Sequence, residues 1–589
     1  MAKTHPKVDV VTIGAGMTAS IVAAKLCPSG YDVLSLEQGP GRWGYPTFSH
    51  DHDSLRYSGR YAMMVDLERE TWTWRPNARA PALPMRQYGS INPGEGLGGA
   101  MVHWSGQLWR FLPTDFRYRS HVIERYGAQK IPEGCTVQDW GVTYDELEPY
   151  YDTFEHDIGA SGQTGNLNGK IIPGGNPFEG PRSRPYPHPA LDVTTYGEMF
   201  AKASEELGLH PFTQPAGILS EAFTDPFGNE RSGCLYCGFC TRFGCEVDAK
   251  TSPQTTWLPV AFDTGRYTVR GECKVTKIEV DDKGRATGVS YLDSHGGEHF
   301  QPAELVLVSA FTLENNRMLL LSRSKAHPGG VGNDRGRVGK NYSYQIYPAP
   351  VVGVFEGRTL QMYMGNTCTI KIIYDFNADN FDHSDLDFMG GSQLYSEPCE
   401  REPFNSVKQL STKDGKSWGA QWKAQLGRDW DSYAGIVTEG ESIPYEDQFV
   451  DLDPHYQDRF GNPLLRITFD WHPNEQRMWG FIAARAKEIM TAMNPTRVVS
   501  YTPEMQPYNI HDYQSTHPTG GCIMGTDPGN SVTNSYGQVW DTPNVFVTGA
   551  ALFPQNPGAN PTGTVGALTY RTAEALLDRW FGHPDELLE

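Results

Sequence analysis

The stretch VDVVTIGAGMTASIVAAKLCPSGYDVLSLEQGP, Val8 to Pro40, decides the fold. It opens on an apolar run, Val8–Ile13, rich in the β-branched residues of a buried strand. A glycine turn follows, then a helix rich in Ala and Leu, then a second strand (Asp32–Leu36) running into Glu37. Strand, turn, helix and strand in that order are what a dinucleotide-binding unit requires. Gly14 permits the tight turn. Gly16 lets the backbone approach a pyrophosphate at the helix N-terminus, where free N–H groups and the helix dipole favour negative charge. Ala19 stands where a third glycine would be and is small enough for close helix–strand packing. Glu37 follows Gly14 by 23 residues, the spacing for a carboxylate that grips a ribose hydroxyl. A G-x-G-x-x-A alone is a weak signal; both strands and the acid make it a strong one.

The far end of the chain answers this unit. Asn544–Ala551 (NVFVTGAA) reads as an apolar strand ending at Gly549 and Ala550, and Thr564–Leu577 reads as a helix. The first and last segments are therefore expected to build one cofactor domain around an inserted middle, an arrangement typical of flavoproteins. Between them, Tyr88–Trp109 (YGSINPGEGLGGAMVHWSGQLW) packs four glycines into Gly94–Gly99, which suits a loop pressed against a ligand. Residues 139–162 read as a helix with Thr143 and Glu146 as its capping box. Residues 267–294 alternate like strands, Glu304–Ser309 is a buried-strand run, and Leu313–Ser322 a helix. From about 331 to 505, short strand-like runs alternate with loops, as in a sheet forming one wall of a substrate cavity. The fold class is α/β: a Rossmann-like domain from 1-50, 84-112, 200-330 and 510-589, and a substrate domain with a large, mainly antiparallel sheet from 113-199 and 331-509.

Length and composition agree. A chain of 589 residues exceeds a single hydrophobic core, and one or two large domains from interleaved segments are expected. A net charge of −20 argues against nucleic acid and anionic membrane surfaces as partners. No apolar run reaches a membrane span, and the start, Met1 to Val11, has no signal-peptide pattern. Of 10 cysteines, four crowd into Cys234, Cys237, Cys240 and Cys245, spaced C-x2-C-x2-C-x4-C. A local cluster in a large chain points to a metal centre rather than a disulfide framework. Iron bound by thiolates, or a four-cysteine zinc site, would suit it. The run lacks the proline that usually follows the fourth ligand of a 4Fe-4S site, since Cys245 precedes Glu246.

Taken together, several motifs resemble the glucose–methanol–choline (GMC) oxidoreductase family. They are Gly14–Ala19 with Glu37, the glycine loop at 94–104, DWGVTYDELEPYY from 139, HPTGGCIMG at 517–525 and NVFVTGAALFPQNPGANPTGTVGAL at 544–568. They span nearly the whole chain in the family's order. CLYCGFCTRFGCEVDAK at 234–250 further resembles the flavoprotein subunit of bacterial membrane-bound gluconate, 2-keto-gluconate, fructose and sorbitol dehydrogenases. Two places depart from the family: Gly521 stands where Thr is common, and the second family signature is degenerate around Ser309–Leu320.

The resemblance implies FAD, held by Gly14, Gly16, Ala19, Glu37, Gly98, Gly99, Gly549 and Ala550. It implies that His103 either bonds covalently to the flavin or packs against it unbonded. His517 matches the family's catalytic histidine, and Asn560 stands where a second His or Asn is found. Imidazole suits the task because taking an alcohol's proton needs a base that titrates near neutrality, and an Asn can orient the hydroxyl without titrating. His511 is the alternative base. For the cysteines the resemblance implies a 3Fe-4S cluster on Cys234, Cys240 and Cys245, with Cys237 the non-ligand. It also implies a sugar acid or polyol as substrate, a small export subunit, a multihaem cytochrome c subunit, quinone as acceptor, and a periplasmic site on the inner membrane through a partner. An oxidase using oxygen directly is the competing reading, and it would need no outbound relay.

Overall fold

The computed structural model describes residues 2–41, 52–347, 349–400, 416–512, 515–583 and 587. Its central element is one long strand, Glu298–Val308, whose two halves do different things. The C-terminal half is apolar and buried, and it pairs in parallel with Val8–Ile13 on one side and Val545–Val547 on the other. The N-terminal half carries alternating polar residues and pairs antiparallel with Ala286–Leu292, which in turn pairs with Lys274–Val280. Only the apolar half is legible as a strand in the sequence, because the other half faces solvent along one side.

Val8–Ile13 also pairs in parallel with Val33–Leu36, and that strand with Tyr267–Arg270. The helix Met17–Leu26 crosses between the first two strands; small residues such as Ala19 and Ala23 are fully buried where it packs, as the fingerprint requires. Strand Val545–Val547 and helix Thr562–Ala575 supply the closing unit expected from the C-terminal sequence. The capping box at the start of Tyr144–Ile158 is formed: Thr143 accepts from the Glu146 N–H, and the Glu146 carboxylate accepts from the Thr143 N–H.

The second layer is a six-stranded antiparallel sheet in the order Arg497–Tyr501, Val351–Val354, Tyr433–Gly440, Ser392–Ser396, Lys371–Ile373 and Phe212–Thr213. Among its described residues the region from 331 to 505 also holds two helices, Gly419–Asp429 and Pro473–Ala492, which a reading in terms of short strands does not anticipate. Pro473 at the first helical position and Glu475 in the first turn start the longer one, and its Met478, Ile482, Ile489 and Met490 are buried.

A two-stranded pair, Lys340–Tyr344 with Pro518–Gly521, joins the layers. Its antiparallel register sets Tyr344 opposite Pro518, so the next residues outward, Gln345 and His517, face one another. Among the described residues no helix is long and apolar enough to cross a membrane.

Candidate active site

The N-terminal and C-terminal glycine turns meet at a cavity of about 310 Å³. Gly14, Gly16, Glu37, Gly99, Gly549 and Ala550 line it, and His517 closes one side. Gly14 has φ +96°, and a side chain there would meet the Ser309 carbonyl oxygen at 3.0 Å. Gly99 has φ +56° and lies so close to Gly16 that a Cβ would stand 3.1 Å from its Cα. The glycine loop is thus laid directly on the first turn, and the Gly98 N–H donates to the Ala15 carbonyl at 2.8 Å.

This cradle fits a dinucleotide. The helix Met17–Leu26 begins at Gly16 with no side-chain cap and no acidic residue in its first turn, so its N-terminal N–H groups are left for an anion. A Cβ on Gly16 would meet nothing within 4 Å, so the backbone there opens onto free space. Glu37 accepts N–H bonds from Ala15 (3.1 Å) on one oxygen and from Gly39 (2.9 Å) and Gly96 (3.2 Å) on the other. The oxygen facing Ala15 keeps a free lone pair for a ribose hydroxyl. Burial pushes this carboxyl above its ordinary range, while the three N–H groups oppose the shift. Ala19 packs beneath the turn, fully buried. Gly98 does not line the cavity; it braces the loop through Ala15.

His517 is half-buried on the cavity wall. Its Nδ1 lies 2.5 Å from Gln345 Oε1, and its carbonyl accepts from Asn556 Nδ2 at 2.7 Å. Burial lowers its pKa to about 4, so the ring is neutral at ordinary pH. His511 is not on the wall, and its Nδ1 is buried without a partner.

Asn560 lies just behind the wall, next to Pro561 and Thr562, which line it. Trp109 Nε1 donates to Asn560 Oδ1 at 2.7 Å, which turns the amide nitrogen toward the Glu439 carboxyl. Glu439 accepts further bonds from Gln393 and Tyr395, and burial pushes its pKa up to about 8. The six-stranded sheet therefore supports the site from behind. None of its strands lines this cofactor cavity. Gln345 and Glu439 carry no sequence signal of their own, since their partners lie 172 residues (His517) and 121 positions (Asn560 minus Glu439) away along the chain.

His103 follows the short helical turn Gly99–Val102 and is buried. Burial, reinforced by Lys250 and Arg242, lowers its pKa to about 3. Its Nε2 has no hydrogen-bond partner and rests against Gly94, where a Cβ would come within 2.6 Å of it. Gly94 lines the cavity and His103 does not.

The four clustered cysteines share one loop. Cys240 is buried and the other three are partly so, all as free thiols. Cys234 Sγ accepts from the Tyr236 N–H (3.3 Å) and Asn366 Nδ2 (3.4 Å), and Cys245 Sγ from the Lys250 N–H (3.5 Å). Two cysteines that look scattered in sequence join them: Cys368 packs in the same apolar cluster, and Cys399 lies beside Gly365, which bridges to Cys237. Among the described residues, however, no three His, Cys, Asp or Glu groups converge as a metal site. The thiols as placed do not form a closed ligand shell for the expected cluster. The loop is tied to the cavity wall, because Lys250 Nζ donates to the carbonyls of Trp104 (2.7 Å), Cys240 (2.5 Å) and Phe243 (2.8 Å). The Arg242 N–H donates to the His103 carbonyl at 2.7 Å.

Residues 191–347 and 444–569 each match the GMC oxidoreductase family. The chain is 38% identical to the gluconate 2-dehydrogenase flavoprotein of Pantoea cypripedii, across 100% of this chain and 96% of that protein. It is 27% identical to the 2-methyl-1,2-propanediol dehydrogenase of Mycolicibacterium austroafricanum, across 98% of this chain and 97% of that one. Its fold matches the crystal structure of pyridoxine 4-oxidase from Mesorbium loti with a TM-score of 0.57 at 15% identity, covering 96% of this chain and 99% of that one. The fold class read from the sequence is borne out by these matches and by the two sheets.

The depressed pKa of His517 has a measurable consequence. Burial disfavours the charged ring, so the neutral form persists as pH falls through 6.5 and is lost only near 4. A rate that depends on the neutral ring should hold between about pH 8 and 5 and fall only as pH approaches 4. A kcat/KM profile checks this, and an acidic limb at or above 6.5 would contradict it.

Proposed function

The chain belongs to the GMC oxidoreductase family and is an FAD-dependent alcohol dehydrogenase, and we propose that it oxidises a secondary alcohol of a sugar acid, gluconate or 2-keto-gluconate, to a ketone. What carries the chemical part of this reading is a neutral imidazole, His517, on the wall of a cavity built by two glycine turns. The substrate class rests on the full-length similarity to a gluconate 2-dehydrogenase flavoprotein.

Bound FAD supplies the hydride acceptor. The rest is work for the chain's own side chains. His517 takes the hydroxyl proton as the C–H hydride leaves with its electron pair, so the alcohol becomes a ketone. Asn560 orients the hydroxyl: Trp109 occupies its Oδ1 and Glu439 one N–H, which leaves the second N–H for the substrate oxygen. Replacing His517 with Ala should lower turnover by roughly 10²–10⁴-fold with FAD content nearly unchanged, the scale for a positioned general base. Asn560→Ala should cost less, because orientation is lost and the proton acceptor is kept. Near wild-type turnover in His517→Ala would sink the assignment.

His103 is proposed to hold the flavin covalently. The buried, neutral ring with an unpartnered Nε2 beside the cavity wall supports this. Flavin fluorescence should then stay with the chain on a denaturing gel. Complete release into the supernatant would leave only non-covalent binding.

For the outgoing electrons we propose that Cys234, Cys240 and Cys245, whose thiols would have to draw together, would hold a 3Fe-4S cluster, which would supply one-electron transfer toward a multihaem cytochrome c subunit and quinone. The setting is periplasmic, on the inner membrane through partners that include a small export subunit. The cysteine spacing and the ties from the cysteine loop to the cavity wall support the relay, while the setting and the partners rest on the resemblance alone. A one-electron centre would suit the passage from a two-electron alcohol oxidation to one-electron haem acceptors. In Cys240→Ser, flavin reduction by substrate should survive while electron delivery to the haem subunit collapses. Normal delivery in that variant, or zinc without iron in the purified protein, would refute the relay.

A further inference from the structure

The pair formed by Gln345 and His517 fixes more than a distance. Which nitrogen of a histidine carries the proton follows from what its other nitrogen faces. Here that partner is an amide, whose own two ends must be told apart first. Gln345 settles its own orientation, because one end of its amide lies 2.9 Å from the Pro557 carbonyl and 2.9 Å from the Ala559 carbonyl. Two acceptors can be met only by the NH₂ group, so both of its protons are used there. The oxygen is left to face His517 Nδ1 at 2.5 Å. An amide oxygen cannot donate, so Nδ1 must carry the proton and Nε2 must hold the lone pair. No hydrogen bond engages Nε2, and the ring lines the cofactor cavity.

We propose that Gln345 is a positioning residue that locks His517 in the tautomer whose Nε2 is the base, and ties that base to the loop carrying Asn560. The second half of this statement comes from the same two carbonyls. Pro557 and Ala559 belong to the segment that ends in Asn560, so one amide fixes both the ring and the strand of chain beside it. Gln345 is fully buried and is delivered by the strand pairing of Tyr344 with Pro518, so its amide cannot turn without breaking three bonds. A neutral amide also differs from a carboxylate in what it leaves alone: it orients the ring without adding negative charge that would stabilise an imidazolium. The lock therefore keeps the base neutral and ready.

This inference rests on His517 being the base, and the test separates the two claims. The holoenzyme is made as wild type, Gln345→Met, His517→Ala and the double variant, and flavin bleaching by gluconate is followed. Gln345→Met should reduce the rate of flavin reduction about 10–100-fold, the range for losing a partner that orients a functional histidine. In the His517→Ala background the same change should cost clearly less, because only the hold of Gln345 on the loop carrying Asn560 is left to lose. Equal losses in both backgrounds, or no loss in either, would overturn the role of Gln345 while leaving His517 in place. A normal rate in His517→Ala alone would overturn the base itself.

Gln345→Met loses two anchoring bonds as well as the ring contact, so a second measurement uses the unaltered protein. In ¹⁵N-histidine-labelled holoenzyme, with the His517 signals found by their loss in His517→Ala, Nδ1 should be protonated and Nε2 unprotonated from about pH 8 to 5. A proton on Nε2, or two exchanging tautomers, would overturn the proposal without reference to substrate.

Discussion

The strand Glu298–Val308 is the constraint on which everything else hangs. Two segments from opposite ends of the chain must share its apolar half, and each brings a glycine turn to the same edge of the sheet. Val308 pairs with Ile13 and with Val547, so Gly14 and Gly549 follow one and two residues beyond a common level. In an open parallel sheet this is where a ligand belongs, outside the carboxyl ends of the strands, and the cavity lies there. His517 and Asn560 sit on either side of the last of these strands in sequence, so the same pairing that makes the cofactor cradle also delivers the reacting side chains.

Burial does a second job on the charged groups around that cradle. Both histidines near it are held neutral by desolvation, His103 to about 3 and His517 to about 4. Glu37 and Glu439 are pushed the other way for the same reason. Each is then met by donors: three backbone N–H groups for Glu37, and Gln393, Tyr395 and Asn560 for Glu439. A buried polar group costs little only when it is bonded, which is why these residues come with partners from distant segments. Lys250 shows the same logic as a cation, spreading its three protons over three carbonyls and so fastening the cysteine loop to the cavity wall.

What was legible in the sequence divides along the same line. The first strand–turn–helix–strand unit, the C-terminal strand and helix, and the capping box at Thr143 are local patterns, and each is present where its residues predict it. The polar half of Glu298–Val308 and the helix Pro473–Ala492 were missed. In the first, alternation alone does not distinguish a half-exposed strand from a loop. The second has a buried face running through Met478, Ile482, Ala483, Ala486, Ile489 and Met490, a helical period that a reading in terms of short strands does not test for. His517 and Asn560 could be picked out by their motifs. Gln345 and Glu439 could not, because what gives them meaning is a ladder register and a contact across more than a hundred residues. The cysteine spacing was legible as a cluster, yet the approach of Cys368 and Cys399 belongs to tertiary packing.

The choice of an amide behind His517 follows from what the base has to do. A carboxylate in that place would pair with a protonated ring and raise its pKa, opposing the burial that now keeps it near 4. The ring would then sit charged over part of the physiological range and could not accept a proton. An unpartnered Nδ1 would leave the ring free to carry its proton on either nitrogen, and only one of the two tautomers offers a lone pair to the cavity. Gln345 avoids both outcomes. Its oxygen supplies direction without charge, and its nitrogen is anchored to Pro557 and Ala559, so the direction is held by the backbone of the very segment that carries Asn560. Basicity is thereby set by burial and orientation by the amide, two properties under separate control on one side chain.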